Sequence, residues 1–165
     1  MTTRLAGYQP QYFPRLHYYA RILNADIFKI SDNLQYVRRH LYTATDGTTS
    51  NGPSYQAHTP IKTPRGIYLL DIPGRHEGEK TERRIDSVGL DYSSLWPQKH
   101  LRNLELNYAK APQFKKLFPS LSVLLSKTYP NLAACTIAST LWGLAALFEL
   151  PFSSVETLSL SAVGA

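Results

Sequence analysis

The chain has almost no cysteine: among its 165 residues, Cys135 stands alone. A single thiol excludes a disulfide within the chain and a zinc site built from several cysteines. Because Cys135 lies among Ala133, Ala134 and Ile137, we expect a buried, unreactive thiol. The first residues also lack the long apolar run of a secretory signal, so we expect a cytoplasmic protein.

The common signatures of cofactor and nucleophile chemistry are absent as well. The sequence contains no P-loop, no Gly-x-Gly-x-x-Gly and no Ser/His/Asp order typical of hydrolases, and its five histidines show no His-x-x-x-His spacing. We therefore expect no metal site. The sequence leaves the cofactor and the oligomeric state unknown.

Acidic residues are fewer than basic ones, 12 against 18, which gives a net charge of +6. A basic excess favours anionic partners. The positive charge is dispersed in pairs, at residues 38–39, 83–84 and 115–116, and forms no long track. We therefore expect phosphate or carboxylate groups on a small substrate as the partner in preference to nucleic acid.

The segment 9–14, Gln-Pro-Gln-Tyr-Phe-Pro, is the most informative feature that is present. It follows a predicted strand at 5–8 and precedes a predicted helix at 16–23, where Leu, Tyr and Ala recur at three- and four-residue spacing. A second strand is predicted at 27–30. Ligands of such β-α-β units collect beyond the carboxyl ends of parallel strands. We therefore expect segments 9–14 and 32–39 to open on the same side.

The middle of the chain predicts hairpins. Residues 56–62 and 67–72 are predicted strands joined by Thr-Pro-Arg-Gly, a sequence that favours a tight reversal. Residues 43–53 are rich in turn-forming types and fit either a mobile loop or the tip of a second hairpin. The charged stretch 75–84 is predicted to be an exposed loop.

The remainder predicts helices, beginning near Trp96, Pro112 and Asn131. Pro119 lies inside the second helix, so we expect a break or kink near Phe118. Residues 131–148 carry no charge, yet they include several Ser, Thr and Ala residues and lack flanking basic clusters. A buried helix is therefore preferred to a membrane span. A final strand is predicted at 155–160.

Together these elements predict a single α/β domain over residues 1–165. It has an N-terminal β-α-β unit in a mainly parallel sheet, a β-hairpin insertion and a C-terminal helical part.

The order of several short motifs resembles the WbqC-like family, which occurs in bacterial gene clusters for O-antigen, other surface sugars and natural products. The resemblance rests on Gln-Pro-x-aromatic-x-Pro at 9–14, Ala-Asp at 25–26, Asp-x-x-Gln-aromatic at 32–36, Ile-Lys at 61–62 and the helical segment 96–118. It implies a role in surface-polysaccharide or natural-product biosynthesis, with a transferase acting on a nucleotide-linked or phosphorylated intermediate. Whether the chain is an enzyme is left open.

The chain also departs from the family pattern. His17 stands where the family usually has Gly, and Ala57-His58 stands where it tends to have Asn-Arg. Family members are generally longer at the C-terminus, so we expect a truncated or degenerate copy as an alternative. Such a copy would be a non-catalytic binding or scaffolding module.

The candidate catalytic residues are Asp32, which follows the second strand, and His17, at the start of the first helix. Asp32 is a candidate base or acceptor, and a structural ion pair with Arg38 is its alternative. His17 is a candidate proton donor or an ordinary exposed polar residue. The candidate ligand-binding residues are Gln9, Tyr12, Gln35, Arg38, Arg39, His58 and Lys62. The cationic ones suit anion binding, and Gln9 either reads a base or sugar or caps backbone groups.

Overall fold

The computed structural model describes residues 2–75 and 83–148. Along the chain, the elements are β1 Leu5–Tyr8, α1 Leu16–Leu23, β2 Ile27–Ile30, β3 Arg39–Thr43, β4 Thr49–Pro53, β5 His58–Thr63, β6 Gly66–Asp71, a 3₁₀ turn at Ile85–Ser87, α2 Trp96–Tyr108, α3 Phe114–Ser126 and α4 Leu132–Phe148. The predicted mixed α/β class is confirmed. The predicted strand at 155–160, the end of the last predicted helix and most of the charged loop 75–84 lie outside the described residues.

The described strands form three separate two-stranded sheets. β1 pairs with β2 in parallel, with Leu5 opposite Ile27, and α1 lies between them in sequence. β3–β4 and β5–β6 are antiparallel hairpins. A mainly parallel sheet is therefore not confirmed. The reason is local, because short turns join β3 to β4 and β5 to β6, and a parallel pair needs a much longer crossover.

Both hairpin turns place glycine where the backbone enters the left-handed region. Gly66 has φ +109° at the predicted Thr-Pro-Arg-Gly reversal, and Gly47 has φ +83° in the turn between β3 and β4. Asp46 closes that second turn by accepting a hydrogen bond of 2.9 Å from the Thr48 N–H. The hairpin at residues 58–71 is confirmed, and segment 43–53 is a hairpin as well, one of its two predicted alternatives.

α3 continues through Pro119 and does not break there. The proline removes the hydrogen bond that a backbone N–H would have donated to the carbonyl of Lys115, and its ring crowds that carbonyl. Both residues are exposed, so water can satisfy that carbonyl. Stacking of Phe114 on Phe118, with ring centroids 4.5 Å apart, holds the first turn together.

The core lies between the β5–β6 hairpin, the 3₁₀ turn and helices α2 to α4. Its buried side chains include Tyr12, Leu70, Ile85, Trp96 and Leu132. Cys135 is buried in the same cluster, as expected. Within the described ranges, no helix combines the length and the apolar character needed to cross a bilayer.

The contact between α1 and α4 depends on a glycine, Gly143, which leaves room for Tyr19. Tyr19 of α1 is buried with its hydroxyl against Gly143 of α4, and a Cβ built on that glycine would meet the hydroxyl oxygen and lie 2.7 Å from Tyr19 Cζ. A methyl group therefore has no room there.

We expect Gly143→Ala to destabilise the protein by roughly 1–3 kcal/mol, because the clash outweighs the helix propensity that alanine adds. Urea unfolding measures the change. The double variant Gly143→Ala/Tyr19→Phe removes the nearest atom and should recover part of the loss. A single variant as stable as the wild type would contradict this packing.

Candidate functional site

The segment 9–14 is held in one strained conformation. Phe13 has φ +41°, a value rare for a residue other than glycine, and it stands directly before Pro14. Its N–H donates to Ser139 Oγ at 3.0 Å, and its carbonyl accepts from Thr59 Oγ1 at 3.2 Å. Strain fixed in this way is typical of binding and catalytic segments.

Two further bonds fix the residues just before it. The Tyr12 N–H donates to the Tyr55 carbonyl at 2.9 Å, and Thr140 Oγ1 lies 3.4 Å from the Gln11 carbonyl. The buried hydroxyls of α4 therefore hold this segment, which explains why an uncharged core helix carries Ser139 and Thr140. The segment is a rigid wall for whatever lies against it.

A cavity of about 220 Å³ opens beside this wall, at the carboxyl end of β1. Its lining includes three tyrosines, two glutamines and a histidine: Tyr8, Tyr42, Tyr55, Gln9, Gln11 and His40. The volume is below the roughly 300–1,000 Å³ of typical ligand pockets. It therefore has room for a single ring, not for a whole nucleotide sugar.

Gln11 is the least expected member of this lining. The residue as a whole is only 6% exposed. Its side-chain amide makes no hydrogen bond within the described residues, yet its polar atoms are not among those buried without a partner. The amide therefore keeps contact with solvent at the cavity, where a ligand or water can bond to it.

Gln56 connects the cavity wall to segment 32–39. Its side chain is fully buried, accepts from the Val37 N–H at 2.8 Å, and donates to Gln9 Oε1 at 2.8 Å and to the Gln35 carbonyl at 3.3 Å. Segments 9–14 and 32–39 are therefore brought together, through a residue that neither contains.

A charged pair joins β5 to β6, where His58 lies opposite Asp71. His58 Nε2 lies 2.9 Å from Asp71 Oδ1, and its Nδ1 donates to the Ser54 carbonyl at 3.0 Å. Burial opposes the charge on His58, but the bond and charge of Asp71 outweigh it and raise the His58 pKa. The bond from His58 lowers the pKa of Asp71. Two acceptors around one imidazole suit the doubly protonated form.

His100 behaves in the opposite way. Burial lowers its pKa to about 4, so the ring is neutral at ordinary pH. Its Nε2 donates to the Asp71 carbonyl at 3.1 Å, which leaves Nδ1 to accept from the Tyr12 hydroxyl at 2.9 Å. A carbonyl can only accept, so this bond fixes the tautomer.

The sequence profile of the WbqC-like protein family matches residues 9–164, nearly the whole chain. The chain belongs to the WbqC-like protein family. It is also 26% identical over 131 residues to the uncharacterized protein Rv1507c of Mycobacterium tuberculosis, covering 79% of this chain and 50% of that protein. The chain thus spans about half the length of this curated relative. No solved structure matches it significantly.

Four of the predicted site residues lie around the Gln56 network and the His58–Asp71 pair: Gln9, Gln35, Arg38 and His58. Gln9 lines the cavity, and Gln35 contributes its carbonyl to Gln56. Arg38 is exposed. Its positive charge partly offsets the raised pKa of His58 and adds to the lowered pKa of Asp71.

The other predicted residues lie elsewhere. Tyr12 is 1% exposed and faces the core, where it contacts His100, while His17 is on the exposed side of α1. Arg39 donates to the Asn51 carbonyl across the β3–β4 hairpin at 3.3 Å.

Asp32 and Lys62 also lie apart from the cavity lining. The charge of Asp32 acts on Arg84, and its carbonyl accepts from the Asp86 N–H at 3.0 Å. Lys62 is exposed on β5, and its backbone N–H donates to the Tyr108 hydroxyl at 2.8 Å. No group of three or more potential metal-ligating residues occurs within the described ranges.

Sequence reasoning missed Gln11, Tyr42, Tyr55, Gln56 and Asp71. Gln11 lies inside segment 9–14, whose unusual composition predicts a binding surface, so the sequence did contain a signal for this residue. Tyr42 and Asp71 lie on the two hairpins, and Tyr55 and Gln56 lie in the turn that joins these hairpins. Hydrogen bonds from Tyr12 to the Tyr55 carbonyl and from Gln56 to Gln9 bring that turn to the first segment.

We expect the loss of thermal stability in His58→Gln to depend on pH. The His58 contribution is fully present below the ordinary histidine pKa of 6.5 and is lost as pH rises through its raised folded value. The Asp71 contribution is present above 3.8 and is lost as pH falls through its lowered value. The difference in Tm between variant and wild type should therefore be largest between pH 3.8 and 6.5.

Differential scanning calorimetry over a pH series measures this difference. His17→Gln replaces an exposed histidine of α1 and serves as the control, with a small difference throughout. A His58→Gln difference that stays constant with pH would show that the charged pair does not form.

Proposed function

We propose that the protein is a transferase of bacterial surface-polysaccharide or natural-product biosynthesis that acts on a nucleotide-linked or phosphorylated intermediate. The observation that carries this proposal is the cavity at the carboxyl end of β1, walled by Tyr8, Tyr42 and Tyr55 and by two carboxamides. Aromatic walls and amide groups are the chemistry that binds a sugar or base ring.

Two guanidinium groups lie against the aromatic walls and support an anionic ligand. Arg15 Cζ is 4.2 Å from the ring centroid of Tyr55, and Arg21 Cζ is 4.9 Å from that of Tyr8. A ring in the cavity with its phosphate outside would place negative charge near these cations. Arg38 is a further candidate for the anion, with Arg39 and Lys62 as more distant ones.

For the transfer step, His58 is the better supported proton donor. Its raised pKa keeps the ring protonated closer to neutral pH, and Asp71 holds its orientation. Asp32 stays the candidate base, beyond the end of β2. His17 stays a candidate for binding at the exposed start of α1, where a ligand extending from the cavity would have to reach it.

One observation favours a second function, that of a non-catalytic binding module. Both ring nitrogens of His58 and both of His100 are already engaged by protein groups. A histidine that transfers protons must release one of those partners. A turnover assay on any ligand that binds decides between the two functions, since a binding module yields no product.

We expect ligand binding to raise the melting temperature, since binding to the folded state stabilises it by about 2.7 kcal/mol at a hundredfold excess over Kd. The probes are uridine, UMP, glucose, glucose 1-phosphate and UDP-glucose. Tyr55→Ala removes one aromatic wall and should weaken binding by roughly 1–3 kcal/mol. Tyr68→Ala, an exposed tyrosine of β6, is the control. Equal binding by both variants would reject the cavity as the ligand site.

We expect Arg38→Ala to weaken binding of the phosphorylated probes roughly tenfold, because a charge-assisted bond is worth about 1.5–3 kcal/mol. Binding of glucose and uridine should change little. Isothermal titration with Arg102→Ala, an exposed arginine of α2, controls for the loss of charge. An equal loss with neutral and phosphorylated probes would remove Arg38 from the anion site.

A further inference from the structure

The buried amide of Gln56 has one permitted orientation. Its oxygen faces the Val37 N–H, which can only donate, and its nitrogen faces the Gln35 carbonyl, which can only accept. Rotating the amide by 180° would place like groups against each other at both positions. The cost would be high, because the side chain is fully buried.

This orientation decides the orientation of Gln9. The second N–H of the Gln56 amide points at Gln9 over a distance of 2.8 Å, so the Gln9 atom that receives it must be the oxygen. The Gln9 nitrogen then has no bond to any described residue. Since Gln9 lines the cavity, its two N–H groups are left for the ligand.

Gln11 adds the complementary capacity. Its carboxamide makes no hydrogen bond within the described residues, so both its oxygen and its nitrogen are available to the cavity that the residue lines. The cavity therefore presents a donor-only group at Gln9 beside a donor-and-acceptor group at Gln11. No carboxylate or ammonium group is among its lining residues.

We propose that Gln56 is a positioning residue that makes Gln9 a donor-only contact, and that the cavity takes a neutral ring carrying an acceptor oxygen opposite Gln9. A pyrimidine carbonyl, which can only accept, has this chemistry. The ligand part of this inference rests on the proposed function. The orientation of Gln9 does not.

The orientation is tested without ligand by NMR on the full chain. The side-chain amide protons of Gln56 are buried and both bonded, so they should exchange with solvent much more slowly than those of Gln9. In Gln9→Glu the slow exchange at Gln56 should persist, because a carboxylate oxygen still accepts its bond. Slow exchange at Gln9, or equal exchange at both residues, would overturn the orientation.

The ligand contact is tested by calorimetric titration of Gln9→Glu with the uncharged probes uridine and glucose. This change keeps the acceptor toward Gln56 and replaces the donor toward the cavity with an acceptor. We expect the affinity for uridine to fall at least about tenfold, because a carbonyl that can only accept would then face a carboxylate. The affinity for glucose should fall less, because a hydroxyl can turn and donate to that carboxylate. Gln98→Glu, on the exposed face of α2, makes the same change of charge away from the cavity and should bind normally.

The outcomes separate the two proposals. A loss of uridine affinity confined to Gln9→Glu supports the inference. Equal uridine affinity of Gln9→Glu and Gln98→Glu, or binding of glucose by the wild type without binding of uridine, would overturn the inference and leave the proposed function standing. Failure of every probe to stabilise the wild type would overturn the proposed function together with the ligand assigned here, while the exchange measurement still decides the orientation of Gln9.

Discussion

The side-chain amide of Gln56 is the interaction on which the candidate site depends. It is fully buried, and it uses its oxygen and both N–H groups to join three separate stretches of chain. Without these bonds the polar atoms of Gln56 would be buried with no partner, so the amide favours the one arrangement in which the three stretches meet. Because of that coupling, a two-stranded parallel sheet and two small hairpins form one wall.

Helix α4 has a comparable role on the other side of segment 9–14. It is uncharged over its length, and Ser139 and Thr140 bond to the backbone of Phe13 and Gln11. Gly143 leaves the space that Tyr19 occupies. The small and hydroxyl-bearing residues within this apolar helix thus have a physical purpose, since they allow a strained loop to pack closely and bond to the helix.

Two histidines in contact with the same aspartate show how burial sets charge. Burial opposes the charge on His58, but the carboxylate of Asp71 raises its pKa, while His100 reaches only the backbone carbonyl of that residue and burial lowers its pKa to about 4. The carboxylate compensates for the desolvation of a charged ring, and a carbonyl dipole does not.

Local patterns in the sequence were enough to predict the mixed α/β class, the hairpin at residues 58–71 and the helical C-terminal part, and they singled out segment 9–14. These patterns are apolar periodicity, Gly and Pro at turns, and an unusual loop composition. Which polar residues meet depends on the folded chain. Tyr12 and Gln11 are neighbours in one segment, yet the first packs in the core and the second lines the cavity. Gln9 bonds to Gln56 and His58 to Asp71, and hydrogen bonding between distant segments leaves no periodic trace in a sequence.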